Sequence, residues 1–174
     1  MIPKFIGGFT SARDLPKTAL PEFAFVGRSN VGKSSLINMI TGFGKLARVS
    51  NTPGRTRAIN MFEFSGRILV DLPGYGFASG AKSEIKQWNE TLNGYLSGRG
   101  NLRKVFLLID ARRGVMPIDG EAINALKKMK IDYSVVFTKI DKIPKAELAL
   151  IASGVIKTSS DKKTGREEIL AAMA

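Results

Sequence analysis

Short apolar runs separated by polar, glycine-rich stretches dominate the chain. Runs rich in β-branched and aromatic residues fall at residues 23–26, 59–64, 67–70, 105–109, 134–138 and 155–157, each short enough to be a strand. Between most of them apolar residues recur at three- and four-residue steps, which predicts helices over 33–40, 84–96, 121–129 and 145–152. In the second of these, Ile85, Trp88, Leu92, Tyr95 and Leu96 form the apolar stripe, so Trp88 and Tyr95 read as core anchors before they read as ligand contacts. Strands alternating with helices imply a parallel sheet covered on both faces. Only Ser65 and Gly66 separate the second and third strands, too few for a crossover, so that pair must be an antiparallel hairpin. The pattern predicts an α/β fold: a six-stranded mixed sheet with one antiparallel hairpin strand and helices on both faces. No repeat or Pro/Gly-rich linker divides residues 1–174, so one domain is expected, with residues 1–20 as an N-terminal extension. The loops at 42–58 and 74–82 are glycine-rich and lack an apolar period, and are expected to be the most mobile.

Composition removes whole classes of chemistry. Cysteine and histidine are both absent, which excludes disulfide scaffolds, thiol catalysis, imidazole bases and Cys- or His-bound metals. Catalysis must then run on carboxylates, hydroxyls, cations and backbone amides. The 27 Lys and Arg against 15 Asp and Glu give a formal charge of +12, which suggests a polyanionic partner such as a nucleic acid or nucleoprotein; a solvated basic surface is the alternative. Residues 1–60 hold most of the excess, net +7. The opening MIPKFIGGFTSARDL lacks the apolar core of a signal peptide, and no run approaches the roughly 18 apolar residues of a membrane span, so a cytoplasmic protein without stable membrane association is expected.

Against this background FAFVGRSNVGKSSLIN stands out. Gly27, Gly32, Lys33 and Ser34 make G-x-x-x-x-G-K-S, after a strand and at the start of a helix, the context a phosphate-binding P-loop requires. Such a loop, here spanning Gly27, Arg28, Ser29, Asn30, Val31, Gly32, Lys33, Ser34 and Ser35, turns backbone N–H groups toward phosphate oxygens. Lys33 reaches the β- and γ-phosphates and Ser34 ligates Mg²⁺. Asp71-Leu72-Pro73-Gly74 follows a strand, where Asp71 can hold a Mg²⁺-bound water and the Gly74 N–H can meet a γ-phosphate. Thr138-Lys139-Ile140-Asp141 follows another strand. Asp141 can accept from guanine N1–H and the 2-amino group, neither of which adenine offers, and this argues against an ATP-dependent kinase. Thr138 stands where many GTPases have Asn. Ser159 and Ser160, after the last strand, are placed to offer backbone N–H to guanine O6. In the loop Asn51–Arg57, Thr56 is the favoured second Mg²⁺ ligand beside Gly54, with Thr52 as its competitor.

The runs SARDLPKTALPEFAFVGRSNVGKSSLIN, TPGRTRAINMFEF, VDLPGYGFA, TKIDK and TSS resemble the YihA/EngB (YsxC) family of bacterial ribosome-assembly GTPases, related to TrmE and Era, over about residues 9–170. The resemblance implies a Ras-like P-loop GTPase fold binding GTP and GDP, and hydrolysis of GTP with Mg²⁺ in which Lys33, Thr56 and Gly74 take part. It also implies action on the large ribosomal subunit, through rRNA or a ribosomal protein, by a monomer. Tyr75 stands where many small GTPases carry the glutamine that orients the attacking water, so slow intrinsic hydrolysis is expected. Asn30 matches the position at which TrmE-like relatives hold K⁺, or is a turn residue chosen for its backbone. A nucleotide-gated RNA- or ribosome-binding module with little functional hydrolysis is the alternative. The segment 45–57, with Lys45, Arg48, Arg55 and Arg57 and no acid, is the expected partner contact.

Overall fold

The computed structural model describes residues 2–47, 58–75, 90 and 92–174. Along the chain run β1 (Lys4–Phe9), β2 (Glu22–Gly27), α1 (Lys33–Thr41), β3 (Ile59–Phe64), β4 (Arg67–Asp71), a helix α2 at residues 92–98, β5 (Leu102–Asp110), α3 (Pro117–Lys128), β6 (Tyr133–Thr138), α4 (Lys145–Leu150), β7 (Ile156–Lys157) and α5 (Arg166–Ala171). The sheet order is β1-β3-β4-β2-β5-β6-β7. β3 is antiparallel to both β1 and β4, and the remaining pairs are parallel, so β3 alone runs against the other strands.

Period-two alternation divides the core between the two faces of this sheet. Ala24 and Val26 of β2, Val105, Leu107 and Ile109 of β5 and Val70 of β4 join Tyr95, Leu96 and Leu126 from α2 and α3 on one face. Phe23, Phe25, Phe106, Leu108 and Leu69 pack on the other with Leu36, Ile37 and Ile40 of α1 and Ile169 of α5. Phe25 and Phe106 stack there at 5.2 Å between centroids. Tyr95 is a core anchor, as its spacing predicts, and its hydroxyl donates to the buried Glu22 carboxylate (2.9 Å). Arg99 pairs with the same carboxylate and donates to the Pro16 carbonyl (3.0 Å), so this buried charge is fully compensated. Trp88 lies outside the described residues.

The structure departs from the sequence-based expectation at the edges. The sheet has seven strands, not six: β1, with two glycines and a register shift between Phe5 and Gly7, gave no clean alternation, and its Phe5 is half exposed against Phe62. α3 starts four residues before the expected 121, because its start is set by Pro117 in the first turn and by Asp119, whose Oδ2 accepts the Met116 N–H (2.9 Å). α4 ends at Leu150, before 152, and the short α5 was not anticipated. The start of the loop expected to be mobile is pinned. Asn38 donates to the carbonyls of Gly44 (3.1 Å) and Ala47 (2.9 Å) and accepts the Ala47 N–H (2.7 Å). Among the described residues no helix is long and apolar enough to cross a membrane.

Gly165, which precedes α5, has φ of 83°, and a Cβ there would stand 2.3 Å from the Lys157 carbonyl oxygen. Gly165→Ala combines a left-handed backbone penalty with a backbone clash. It should cost about 3 kcal/mol, or a drop in Tm of roughly 6–12 °C, in thermal denaturation followed by circular dichroism. A Tm within two degrees of wild type, roughly, would contradict this placement of the β7–α5 turn.

Candidate functional site

Strands β2, β4, β5 and β6 all point their carboxyl ends at one edge of the sheet, where open α/β sheets bind ligands. The P-loop leaves β2 there. Its turn needs two left-handed residues, Asn30 (φ 62°) and Gly32 (φ 108°), and α1 then begins at Lys33. Gly27 permits a close passage, since a Cβ would come within 2.7 Å of the Leu108 carbonyl oxygen on β5. The left-handed backbone accounts for Asn30 as a turn residue, because Asn adopts that region more readily than most residues.

Lys33 and Asp71 face each other in the floor of this edge, and both are buried. The Ser34 hydroxyl donates to Asp71 Oδ2 (3.1 Å), while Oδ1, among the described residues, meets no donor at all. Burial pushes the Asp71 carboxyl up, against the pull of Lys33 and the Ser34 hydrogen bond. The same burial pushes the Lys33 ammonium down, against the pull of Asp71. A phosphate on Lys33 and a hard cation near Asp71 would restore both charged forms. An unpartnered carboxylate oxygen beside a hydroxyl is an oxygen donor set that fits Mg²⁺. Among the described residues no cluster of three or more acidic side chains could hold a metal without the phosphates.

Ångströms away, the base side of the site holds the P-loop in shape. The buried Thr138 hydroxyl donates to the Val31 carbonyl (2.7 Å). Lys139, itself left-handed at φ 56°, donates from Nζ to the Asn30 carbonyl (2.6 Å) and to Asp110 Oδ2 (2.9 Å). Asp110 also accepts from Arg112 Nε (2.9 Å) and Nη2 (2.6 Å). Burial opposes its ionisation, but the bonds from Arg112 and Lys139 outweigh it and hold the carboxyl at about 2. Asp141 is held below the usual carboxylate range by the Ser159 hydroxyl (2.6 Å), helped by Lys142.

Most of the expected residues therefore converge: the P-loop, Asp71 and Gly74, and the Thr138–Asp141 turn against Ser159. One role is corrected: the Ser159 N–H is donated to the Thr164 carbonyl (3.1 Å), and Ser159 contributes its hydroxyl to Asp141. Thr138, which stands where many GTPases have Asn, spends its hydroxyl on the Val31 carbonyl. Thr52, Gly54 and Thr56, with Arg48, Arg55 and Arg57, lie outside the described residues. Asp110 and Asn38 were missed. Asp110 ends a strand as Asp71 does, and that position was the available signal; Asn38 carries no motif.

A P-loop after β2, a carboxylate opposite its lysine and an aspartate, Asp141, after the strand two places along the sheet define the class: a P-loop GTPase. The family described as 50S ribosome-binding GTPase matches residues 22–139. The probable GTP-binding protein EngB of Cereibacter sphaeroides is 44% identical over 180 residues, covering 95% of this chain and 83% of that protein. That of Hyphomonas neptunium is 48% identical over 152 residues, covering 85% and 69%. Among solved structures, a probable GTP-binding protein EngB aligns with a TM-score of 0.69 at 27% identity over 87% of this chain and 96% of that one. Era bound to MgGDPNP and nucleotides 1506–1542 of 16S ribosomal RNA aligns with a TM-score of 0.70 at 27% identity, covering 88% of this chain and 55% of Era. The chain belongs to the EngB family of GTP-binding proteins.

Asp110 gives a pH test of the site. Its folded carboxyl, at about 2, lies below its ordinary 3.8, so the folded state holds fewer protons in that window. The stabilisation is complete above about 4 and is lost as pH falls toward 2. Wild type should exceed Asp110→Asn in urea midpoint at neutral pH, with the gap closing between pH 4 and 2, roughly. A gap constant across that range would mean that Lys139 and Arg112 do not bias the carboxylate.

Proposed function

We propose that this chain binds GTP and GDP at the described edge, hydrolyses GTP to GDP and phosphate, and uses the nucleotide state to act on the large ribosomal subunit. The observation that carries the reading is the meeting of a buried Lys33–Asp71–Ser34 floor with Asp141, preset as a carboxylate by Ser159, at the ends of neighbouring strands. Backbone N–H groups of Asn30 and of residues 32–35 would line the phosphates, the Val31 N–H being bonded to the Arg28 carbonyl (3.1 Å), with Lys33 across the β- and γ-phosphates and the Gly74 N–H toward the γ-phosphate. A magnesium ion on Ser34 and Thr56, with Asp71 behind its waters, would supply the positive charge that the β- and γ-oxygens need. In hydrolysis a water oxygen bonds to the γ-phosphorus as its bond to the bridging oxygen breaks. The Tyr75 hydroxyl is committed to Asp119 (2.7 Å), so it does not orient that water. This favours slow turnover without an activator, and it is the one feature that supports the alternative of a nucleotide-gated binding module. Potassium beside Asn30 is not needed for this reading.

The partner reading rests on the +12 charge, on the 50S ribosome-binding description of the family, and on RNA bound to the related Era fold. Arg48, Arg55 and Arg57, beside Thr56, would couple partner contact to the γ-phosphate by sequence adjacency.

Asp141→Asn should reverse base preference from GTP toward xanthosine triphosphate, whose carbonyl replaces the 2-amino group and accepts from an amide. A lost charge-assisted bond predicts roughly a 10- to 100-fold loss for GTP in competition binding. A variant that still prefers GTP would remove Asp141 from base recognition. In sedimentation with 50S subunits, a non-hydrolysable GTP analogue should retain more protein on the subunit than GDP. Arg55→Ala or Arg57→Ala should lower the slope of log affinity against log salt by about 0.7–0.9. An unchanged slope with weaker nucleotide binding would reassign these arginines to the ligand.

A further inference from the structure

The opposite edge of the sheet, where the parallel strands begin, carries a second concentration of charge. β5 starts there at Leu102 and β6 starts beside it, since Val105 pairs with Tyr133. Alternation puts the exposed Arg103 on the same face of β5 as Val105, Leu107 and Ile109, the face that α3 covers. α3 starts near the nucleotide edge, where Asp119 accepts from Tyr75, and ends at this far edge with the exposed Lys127 and Lys128. The exposed Lys130 follows in the turn into β6, which is fixed by the Lys130 N–H on the Lys127 carbonyl (3.0 Å) and the Ile131 N–H on the Leu126 carbonyl (3.1 Å). Among the described residues, none of these four cations has a carboxylate partner. The single acid of residues 102–104 and 127–132, Asp132, is taken by Lys104 (3.2 Å).

Helix geometry explains only part of this cluster. Lys127 and Lys128 sit in the last turn of α3, where cations offset the helix dipole. Lys130 is different: its φ of 55° is left-handed, and a helix end of this kind favours glycine. Lysine there accepts backbone strain that glycine would relieve, while its side chain gains no partner among the described residues. The chemistry of the corner selects its ligand. The exposed aromatics Phe5 and Phe43 lie elsewhere, and Tyr133 packs against the core, so nothing here can stack an unpaired base. Met129, 36% exposed, is the one large apolar side chain at this surface, too little to enter a bilayer. We infer that Arg103, Lys127, Lys128 and Lys130 form a docking surface for the phosphate backbone of helical RNA. Arg103 and Asp110 stand seven residues apart on β5, about 23 Å, which is more than about two Debye lengths at physiological salt. The surface therefore grips RNA alike in both nucleotide states, and it rests on none of the residues assigned to the nucleotide.

The test is binding of the full chain to an RNA duplex of about 16–20 base pairs across a salt series, with GDP and with a non-hydrolysable GTP analogue. The triple variant Lys127→Gln, Lys128→Gln, Lys130→Gln should bind at least about tenfold more weakly near 0.1 M salt. Its slope of log affinity against log salt should fall by about 2–3, equally with either nucleotide. Lys4→Gln, Arg13→Gln, Lys145→Gln removes the same charge from exposed positions elsewhere and should change the slope by less than about 1. Lys130→Gly separates docking from folding: it should raise Tm by about 1–4 °C and still weaken duplex binding about two- to fivefold. Equal losses in the two triple variants overturn the proposal, as does unchanged duplex affinity in Lys130→Gly. Tighter binding to a single strand of equal length, or to phosphatidylglycerol–phosphatidylcholine vesicles, overturns it as well. Protein that binds nucleotide but no duplex removes this inference alone, whereas protein that binds duplex but no nucleotide removes the functional reading alone.

Discussion

The P-loop is held in shape by donors from outside itself. A loop whose amides are to face an anion must turn its carbonyls the other way, and two of those carbonyls are taken up on the outer side by side chains of the β6 turn. Thr138 holds Val31 (2.7 Å) and Lys139 holds Asn30 (2.6 Å). With these two carbonyls held by side chains, and the Ser29 and Val31 N–H groups bonded to the Tyr75 and Arg28 carbonyls (both 3.1 Å), the turn of the loop is fixed by protein partners. The P-loop and the turn that carries Asp141 are therefore one mechanical unit, because Thr138 and Lys139, which precede Asp141, also hold the loop.

That unit is stiffened in turn by the carboxylates behind it. Asp110 fixes the Lys139 ammonium, and Ser159 fixes Asp141 from β7's following turn, whose close passage depends on Gly165 lacking a side chain. On the other side of the loop Asp71 and Lys33 are buried together with only partial compensation, Oδ1 of Asp71 having no donor among the described residues. The contrast divides the site by task. Around Asp110 and Asp141 the charges are met within the protein; around Lys33 and Asp71 they are met only in part.

Much of this was legible in the residues. Short apolar runs rich in β-branched and aromatic residues placed β2 to β7, the two-residue turn set β3 against β4, and each motif stood at a strand end. The P-loop was legible because its glycines have few other uses at that spacing. β1 was not, since an edge strand with two glycines needs no alternating pattern to pair with β3. Nor was the role of Thr138, for a hydroxyl's partner depends on which carbonyl tertiary packing brings near. Asn38 and Asp119 were invisible for the same reason: each satisfies backbone groups whose need arises only once the chain has folded.

The Ser159–Asp141 contact also has a kinetic meaning. Asp141 is oriented and held ionised by its own neighbours, so in the proposed function a base would meet an acceptor that has already lost its conformational freedom and needs no proton removed. Encounter would then be governed by diffusion and orientation, nearly the same for any purine of equal charge. Discrimination would fall on how long the complex lasts: the wrong base would arrive as often as the right one and leave sooner.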